Sequence, residues 1–355
     1  MNCIESEIQF KVINNISRLK PNLLIPLFFS SFFAWCQTPL PLNWDEPRDD
    51  KTLRIAFYNV ENIFDTIDHP IKRDEEFTPN ADRQWNGYKY WDKLNKTSKA
   101  IASLGGWQLP DIVGVCEIEN DTVLNDLIKK EALKNGHFEI AHFNAPDARG
   151  IDVGLLYNSS KLTFIHSEPL LVSIKQEPNF KTRDILYVKL LFKEDTLHFF
   201  VNHWPSRRGG SAQSEYKRIR AAEVLKSKVD SISQVNSKAH IIVMGDFNDT
   251  PKNTSISEVL LKNDKSSLIN LMDDLPKSFG THKYQGHWSY IDQIIISKEL
   301  ESNLTMQNAV VFWQEWMLEK DSKHPGYYPK RSWRGIYYNY GFSDHLPVFI
   351  DLKLP

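Results

Sequence analysis

Residues 240–248 read HIIVMGDFN: an uncharged apolar run, then a glycine, then an aspartate and an asparagine separated by one residue. The run His240–Met244 has the length and composition of a strand covered on both faces. Alternate side chains of a strand point to one side, so Asp246 and Asn248 emerge together at its end. Taken alone the pair reads equally as a turn cap, because Asp and Asn both bond nearby backbone. Its weight comes from the same arrangement recurring along the chain.

Upstream, Asp111–Ile118 (DIVGVCEI) is a second apolar run with Glu117 close to its end. Leu53, Ile55 and Phe57 alternate with Arg54, Ala56 and Tyr58 in a strand that reaches Asn59. Between them Trp91, Leu94, Ile101 and Leu104 share a helical face, and Gly105–Gly106 stops that helix. Asp121 opens another helix, carrying Leu124, Leu127 and Ile128. Five strand-like runs follow: Phe138–Phe143, Ile151–Tyr157, Leu162–Ile165, Ile185–Phe192 and Leu197–Trp204. A helix from about Ser211 to Ile232 then lines up Ile219, Ala222, Leu225, Val229 and Ile232. Beyond HIIVM, Ile291–Ser297 and Leu346–Leu352 complete the strands. Mixed βα units followed by successive strands predict an α/β fold with helices covering packed sheets. No linker after Asp50 divides it, so one domain is expected over 51–355.

The 355 residues are 41% hydrophobic and 25% charged, which excludes collagen-like, coiled-coil and disordered chains. Lys and Arg number 43 against 45 Asp and Glu, a net charge of -2, so any contact with a polyanion has to be local. The cysteines Cys3, Cys36 and Cys116 show no CxxC spacing, which rules out a disulfide framework and a structural zinc site. Asn22–Cys36 (NLLIPLFFSSFFAWC) follows Lys11, Arg18 and Lys20 and is too short to span a bilayer comfortably. It reads as a signal peptide over 1–36, followed by a Pro-rich tether over 37–50; the alternative is a buried N-terminal helix. The expected location is therefore periplasmic or extracellular, or lipid-anchored through Cys36, although the bulky Trp35 argues against an anchor.

Several strand residues are chemically out of place unless they serve a site. An ionised Glu117 at the end of a buried strand is costly without a cation, the alternative being a strand-end Glu facing solvent. Asp152 in RGIDVGLLY and Asp292 in SYIDQIIIS occupy strand positions that disfavour Asp, so each needs a partner. His203, ending LHFFVNHW, and His345, in GFSDHLPV, are the available histidines. A carboxylate-held His keeps one tautomer and shuttles protons near neutral pH. The loop WPSRRGG adds Arg207 and Arg208 as phosphate donors and Trp204 as a stacking surface, with Arg149 a weaker candidate. A solvated basic turn is the alternative, and Lys217, Arg218 and Arg220 read as a solvated helix face. P-loop, zincin and nucleophile-elbow motifs are absent from the sequence. Ser343-Asp344-His345 cannot be a triad by itself, because adjacent strand residues point to opposite sides.

In this order, YNVEN, CEIEN, RGIDV, VNHWPSRRGG, GDFND, YIDQIIIS and SDHLP resemble the endonuclease/exonuclease/phosphatase superfamily over about Leu53–Leu352. The resemblance implies a DNase I-like, four-layer α/β sandwich: two packed mixed β-sheets flanked by helices. It implies a divalent-metal-dependent phosphoesterase, first of all a secreted nuclease. The alternative on the same scaffold is a phosphomonoesterase or a lipid or sugar phosphodiesterase. By the same resemblance Glu117 and Asn59 hold Mg²⁺ or Mn²⁺, with Asp344 a further ligand or close neighbour. His345, oriented by Asp292, works on the attacking water and the phosphate; Asp152 holds His203; Asp246 orients the water and Asn248 binds the phosphate. The implied partner is a phosphate-ester substrate, nucleic acid above all, with no stable protein partner and a monomeric chain. The segments Asp65–Tyr90 and Pro325–Tyr340 are expected to shape the cleft rim. Ala309–Leu318 (AVVFWQEWML) reads as core packing, or else as a membrane-facing or stacking element.

Overall fold

The computed structural model describes residues 40–41, 44–262 and 267–355. The expected signal peptide lies outside the described residues. In chain order the sheet strands are β1 (Thr52–Ile63), β2 (Ile112–Ile118), β3 (Phe138–His142), β4 (Asp152–Asn158), β5 (Leu162–Leu170), β6 (Ile185–Phe192), β7 (Asp195–His203), β8 (His240–Asp246), β9 (Leu268–Asn270), β10 (Asp292–Ser297), β11 (Val310–Val311) and β12 (Val348–Lys353). They form two six-stranded sheets, ordered β11-β12-β1-β2-β4-β3 and β5-β6-β7-β8-β10-β9. Each sheet is mixed: β1 and β2 run parallel in the first, β7 and β8 in the second.

Period-two alternation explains how the sheets stack. Phe199 and Val201 of β7, with Ile242 and Met244 of β8, join the large core that also contains β1 and β2. Met244 reaches the other sheet at Gly114, where an added Cβ would lie 3.1 Å from its side chain. The intervening Phe200, Ile241 and Val243 turn to the opposite face and pack under α3 (Ser211–Val235), against Ala221, Ala222, Leu225 and Val229. Burying each such large side chain contributes about 1.5–3 kcal/mol. The outer face of the first sheet is covered by α1 (Gly87–Leu104) and α2 (Asp121–Ile128), which pack on β1 and β3. Helices, sheet, sheet and helix make the four layers.

Two local expectations change. On α1 the buried row is Tyr90, Leu94, Thr97, Ile101 and Leu104, while Trp91 is 44% exposed with Lys130 over its ring. The i+4 and i+3 steps of that row leave Trp91 on the flank. Residues 44–50, read as tether, are docked: Arg48 donates to the carbonyls of Gly105 and Leu109 at 2.8 and 2.7 Å, and Trp44 meets the Phe312 ring at 5.1 Å. In the aromatic run 309–318, Val310, Val311, Phe312 and Met317 are buried in the core.

Candidate active site

Continuing the inter-sheet rows to the strand ends gives the first part of the site. Phe199 and Val201 lead to His203, Ile242 and Met244 lead to Asp246, and Ile296 and Ile294 lead to Asp292. Strand register places these three end residues side by side, since His203 pairs with Asp246 across β7 and β8 and Asp292 with Asp246 across β8 and β10. All three are almost fully buried, on the face that looks toward the first sheet. Polar residues thus take over from apolar ones in the same rows at the end of the sheet.

The first sheet contributes Asn59 and Glu117. The β2–β4 register shifts between Cys116 and Ile118, which makes Glu117 the extra residue of a bulge, and its φ of 65° is left-handed. A bulge re-aims the side chain it carries, and a non-glycine residue holds that conformation only where its surroundings impose it. Here Asn62 N–H donates to Glu117 Oε2 at 3.0 Å and the Asn59 amide lies 3.4 Å from Oε1. Asn59 Nδ2 also donates to Asp246 Oδ2 at 3.1 Å, joining the two sheets at the site. Asp246 Oδ1 accepts from the backbone N–H of Asn248, another left-handed residue at φ 52°. The Asn248 amide donates to Trp204 O at 3.0 Å.

His345 enters from the loop before β12, with Nδ1 2.7 Å from Asp292 Oδ2. Its Nε2 stands 3.9 Å from Asp344 Oδ1. Burial alone would lower the His345 pKa, but Asp292, Asp246 and Asp344 outweigh it and hold the imidazolium well above the usual histidine range. His203 is driven the other way: burial, then Arg183, Arg149 and His345, push it well below that range. Its Nε2 faces Glu117 Oε1 at 3.8 Å and Asp246 Oδ2 at 3.7 Å. Burial, reinforced by Asp292 and Glu117, raises the Asp246 carboxyl to about 7 against the opposing pull of His345. Asp344, partly exposed, is lowered to about 2, because His345, Arg331 and His282 surround it with positive charge.

Other expected residues land differently. Asp152 does not hold His203; it accepts from Ala145 N–H at 2.9 Å and pairs with His142 Nε2 at 3.1 Å. The reason is strand order, for β4 lies beside β3, whose His142 is the imidazole within reach of Asp152. Trp204 offers no stacking face: it is 1% exposed, packed edge-on against Phe247, with its indole N–H bonded to Asn202 Oδ1 at 3.0 Å. Arg207 is committed to Asn248 O, Asp249 and Asn253 at 2.7–3.1 Å, so it braces the GDFND loop and is not a free phosphate clamp. Arg208 is exposed, and Arg149 is about half exposed beside Asp147. Asp344 is paired with Arg331 at 2.6 Å.

Arg218, read as part of a solvated face, is fully buried, with Nε 2.8 Å from Asp249 Oδ2. Ser255 Oγ donates to the same Asp249 oxygen at 2.7 Å. Removing one partner of a buried pair leaves a charge uncompensated, so Asp249→Ala should cost about 3–5 kcal/mol in denaturant unfolding. Arg208→Ala should stay within about 0.5 kcal/mol; equal losses in the two variants would refute the bracing role of Asp249.

Some site neighbours had no role assigned from the sequence. Ser343 Oγ donates to Asn59 O at 2.7 Å and accepts from His345 N–H, Thr281 Oγ1 takes the Asp292 N–H, and Arg183 donates to the carbonyls of His203 and Trp204. His282 lies on a hairpin with its ring 4.8 Å from that of His345. Each is a common residue in a loop or hairpin, and only long-range packing brings it here.

The donor set fits a hard divalent cation. Asn59, Glu117, Asp246 and Asp344 offer oxygens, and Asp292 Oδ1 is buried with no hydrogen-bond partner among the described residues. One ligand atom from each of Asp246, Asp292 and His345 falls within a mutual 4.8 Å, as do atoms of His282, Asp344 and His345.

A family model described as endonuclease/exonuclease/phosphatase family matches residues 54–354. Comparison with curated proteins gave no match. Among solved structures, the catalytic domain of human Nocturnin with bound sulfate is 17% identical, with 85% of this chain and 94% of that one covered and a TM-score of 0.56. A Bacteroides thetaiotaomicron mannosyl-6-phosphatase is 16% identical, covering 84% and 98% at a TM-score of 0.53. D. rerio TDP2 complexed with a single-strand DNA product is 16% identical, covering 84% and 98% at a TM-score of 0.52.

Proposed function

The chain belongs to the endonuclease/exonuclease/phosphatase family, a family of phosphoesterases, and from that premise we propose that it is a secreted, Mg²⁺-dependent nuclease hydrolysing phosphodiester bonds by in-line attack of water. Its phosphoester chemistry is supported by the geometry of two buried imidazoles in one cluster of strand-end carboxylates, whose surroundings drive their pKa values in opposite directions. His345, bonded to Asp292 at 2.7 Å, presents a positive Nε2–H to a phosphoryl oxygen or departing alkoxide. His203 stays neutral between Glu117 and Asp246. Environments that split like groups in this way mark acid and base roles. Asp246, held by the Asn59 amide and Asn248 N–H, orients the attacking water. Asn59 and Glu117, with Asp344 close by, would hold Mg²⁺, which would supply Lewis-acid polarisation of a phosphate oxygen. Export is supported by the apolar run Asn22–Cys36 behind its basic residues, and intact mass of the secreted chain should show loss of residues 1–36.

A second reading, hydrolysis of a small phosphate ester, is favoured by one observation. Trp204 is buried and Arg207 is tied to the GDFND loop, so the stacking and clamping surface expected for a long nucleic acid is not formed there. The test is turnover by purified protein with Mg²⁺, with and without EDTA, on plasmid DNA, RNA, bis-p-nitrophenyl phosphate and p-nitrophenyl phosphate. EDTA-sensitive cleavage of DNA or RNA together with the diester is the expected result. Turnover of the monoester alone would move the assignment to the second reading, and silence on all four would overturn the nuclease reading and point to a lipid or sugar phosphate.

A further inference from the structure

The two inserted segments, 65–90 and 325–340, fold together as one wall. Phe77 stacks on Phe64 at 4.1 Å and meets Trp333 edge-on at 5.8 Å, and Trp85 lies 5.5 Å from Trp333 and 5.8 Å from Tyr338. Arg83 donates to Gly335 O at 3.0 Å and covers the Trp333 ring at 4.7 Å. Beneath the wall, fully buried Lys93 of α1 donates to Ser332 Oγ and Phe342 O at 2.5 Å. Buried Glu61 near the end of β1 accepts from the backbone N–H groups of Ser332 and Trp333. Placing two charges under the stems of one loop costs desolvation that apolar packing would avoid, and the bonds they make fix the loop's backbone position.

What that anchoring positions is Arg331. Its Nη2 donates to Asp344 Oδ2 at 2.6 Å, and Asp344 Oδ1 stands 3.9 Å from His345 Nε2. Its Nε is 4.0 Å from Glu61 Oε1, its side chain is 43% exposed, and Nη1 makes no hydrogen bond among the described residues. The guanidinium therefore spends one corner on Asp344, which itself stands 3.9 Å from His345 Nε2, and leaves part of its donor set open to solvent. A guanidinium fork matches two oxygens of a phosphoryl group, which an ammonium cannot do.

We propose that Arg331 is a substrate-binding residue, held by the anchored wall at the edge of the site to bind non-bridging oxygens of the phosphoryl group under attack. The inference rests on the phosphoesterase reading of that site. The test measures KM and kcat on bis-p-nitrophenyl phosphate at saturating Mg²⁺, and calorimetric Kd for inorganic phosphate, in the wild type, Arg331→Ala and Arg331→Lys. Arg331→Ala should raise both KM and the phosphate Kd about ten- to hundredfold, the loss of a charged hydrogen bond, with kcat changed less than about threefold. Arg331→Lys, which keeps the charge against Asp344, should recover only part of that affinity and keeps the test valid if the alanine variant fails to fold. Unchanged KM and Kd with a lower kcat, or a higher Mg²⁺ demand, would show that Arg331 serves Asp344 alone and overturn the proposal. A wild type that neither turns over the ester nor binds phosphate would instead overturn the site reading itself.

Discussion

Replacing His345 by alanine should lower kcat on bis-p-nitrophenyl phosphate by about 10²–10⁴-fold, the usual range for a positioned acid–base group, and leave the protein folded. The fold should survive because His345 sits on the loop ahead of β12 and carries none of the ladder between β1 and β12. What disappears is the positive Nε2–H beside the site and the only hydrogen-bond partner of Asp292 Oδ2 among the described side chains. Asp292, almost fully buried, is then left without that partner. Asp292→Asn should reproduce part of the loss with less structural disturbance, because the amide keeps the shape but no longer stabilises the imidazolium. Steady-state kinetics beside a thermal melt decides the matter: turnover within tenfold of wild type in both variants would remove His345 from the chemistry.

Glu117 supports a prediction that separates function from stability. Its φ of 65° costs an ordinary L-residue about 1–2 kcal/mol, a penalty glycine does not bear. Glu117→Ala and Glu117→Gly remove the same carboxylate from the same bulge and differ only in the Cβ. Both should lose turnover and its Mg²⁺ response almost completely, while the glycine variant is the more stable by about 1 kcal/mol or more in denaturant unfolding. Activity with an unaltered Mg²⁺ requirement in both would discard Glu117 as a ligand. Equal stability of the two would mean that the bulge holds no strain, and the left-handed backbone would lose its functional interpretation.

Legibility varied with the range of the interaction involved. Strand runs such as HIIVM and LHFFV were readable because period two is local, and so were their polar ends His203, Asp246 and Asp292. The Glu117 bulge was not: the one glycine of DIVGVCEI is Gly114, three residues before the bulge, nothing at Glu117 marks a left-handed residue, and the strain is imposed by Asn62 and by the neighbouring strands. Pairing Asp152 with His203 failed because both are strand-end residues of matching chemistry, and nothing in either segment says that β3 lies beside β4 and brings His142 to Asp152. Arg207 and Arg218 were misjudged for a related reason. Their common partner Asp249 lies 42 and 31 positions further along the chain, and a loop rich in Arg looks the same whether it faces a phosphate or a buried carboxylate.

From the sequence by itself came the α/β class with helices over packed sheets and the set of acids, amides and histidines at strand ends, because alternation and motif order are properties of neighbouring residues. Tertiary structure decided which of them meet. It aligned His203, Asp246 and Asp292 through strand register, set His345 against Asp292, withdrew Trp204 and Arg207, and brought Arg331 to the site on a wall built from two distant segments. Those outcomes depend on which strands adjoin and which loops share a core, quantities fixed by burial over the whole chain, where local pattern carries no information.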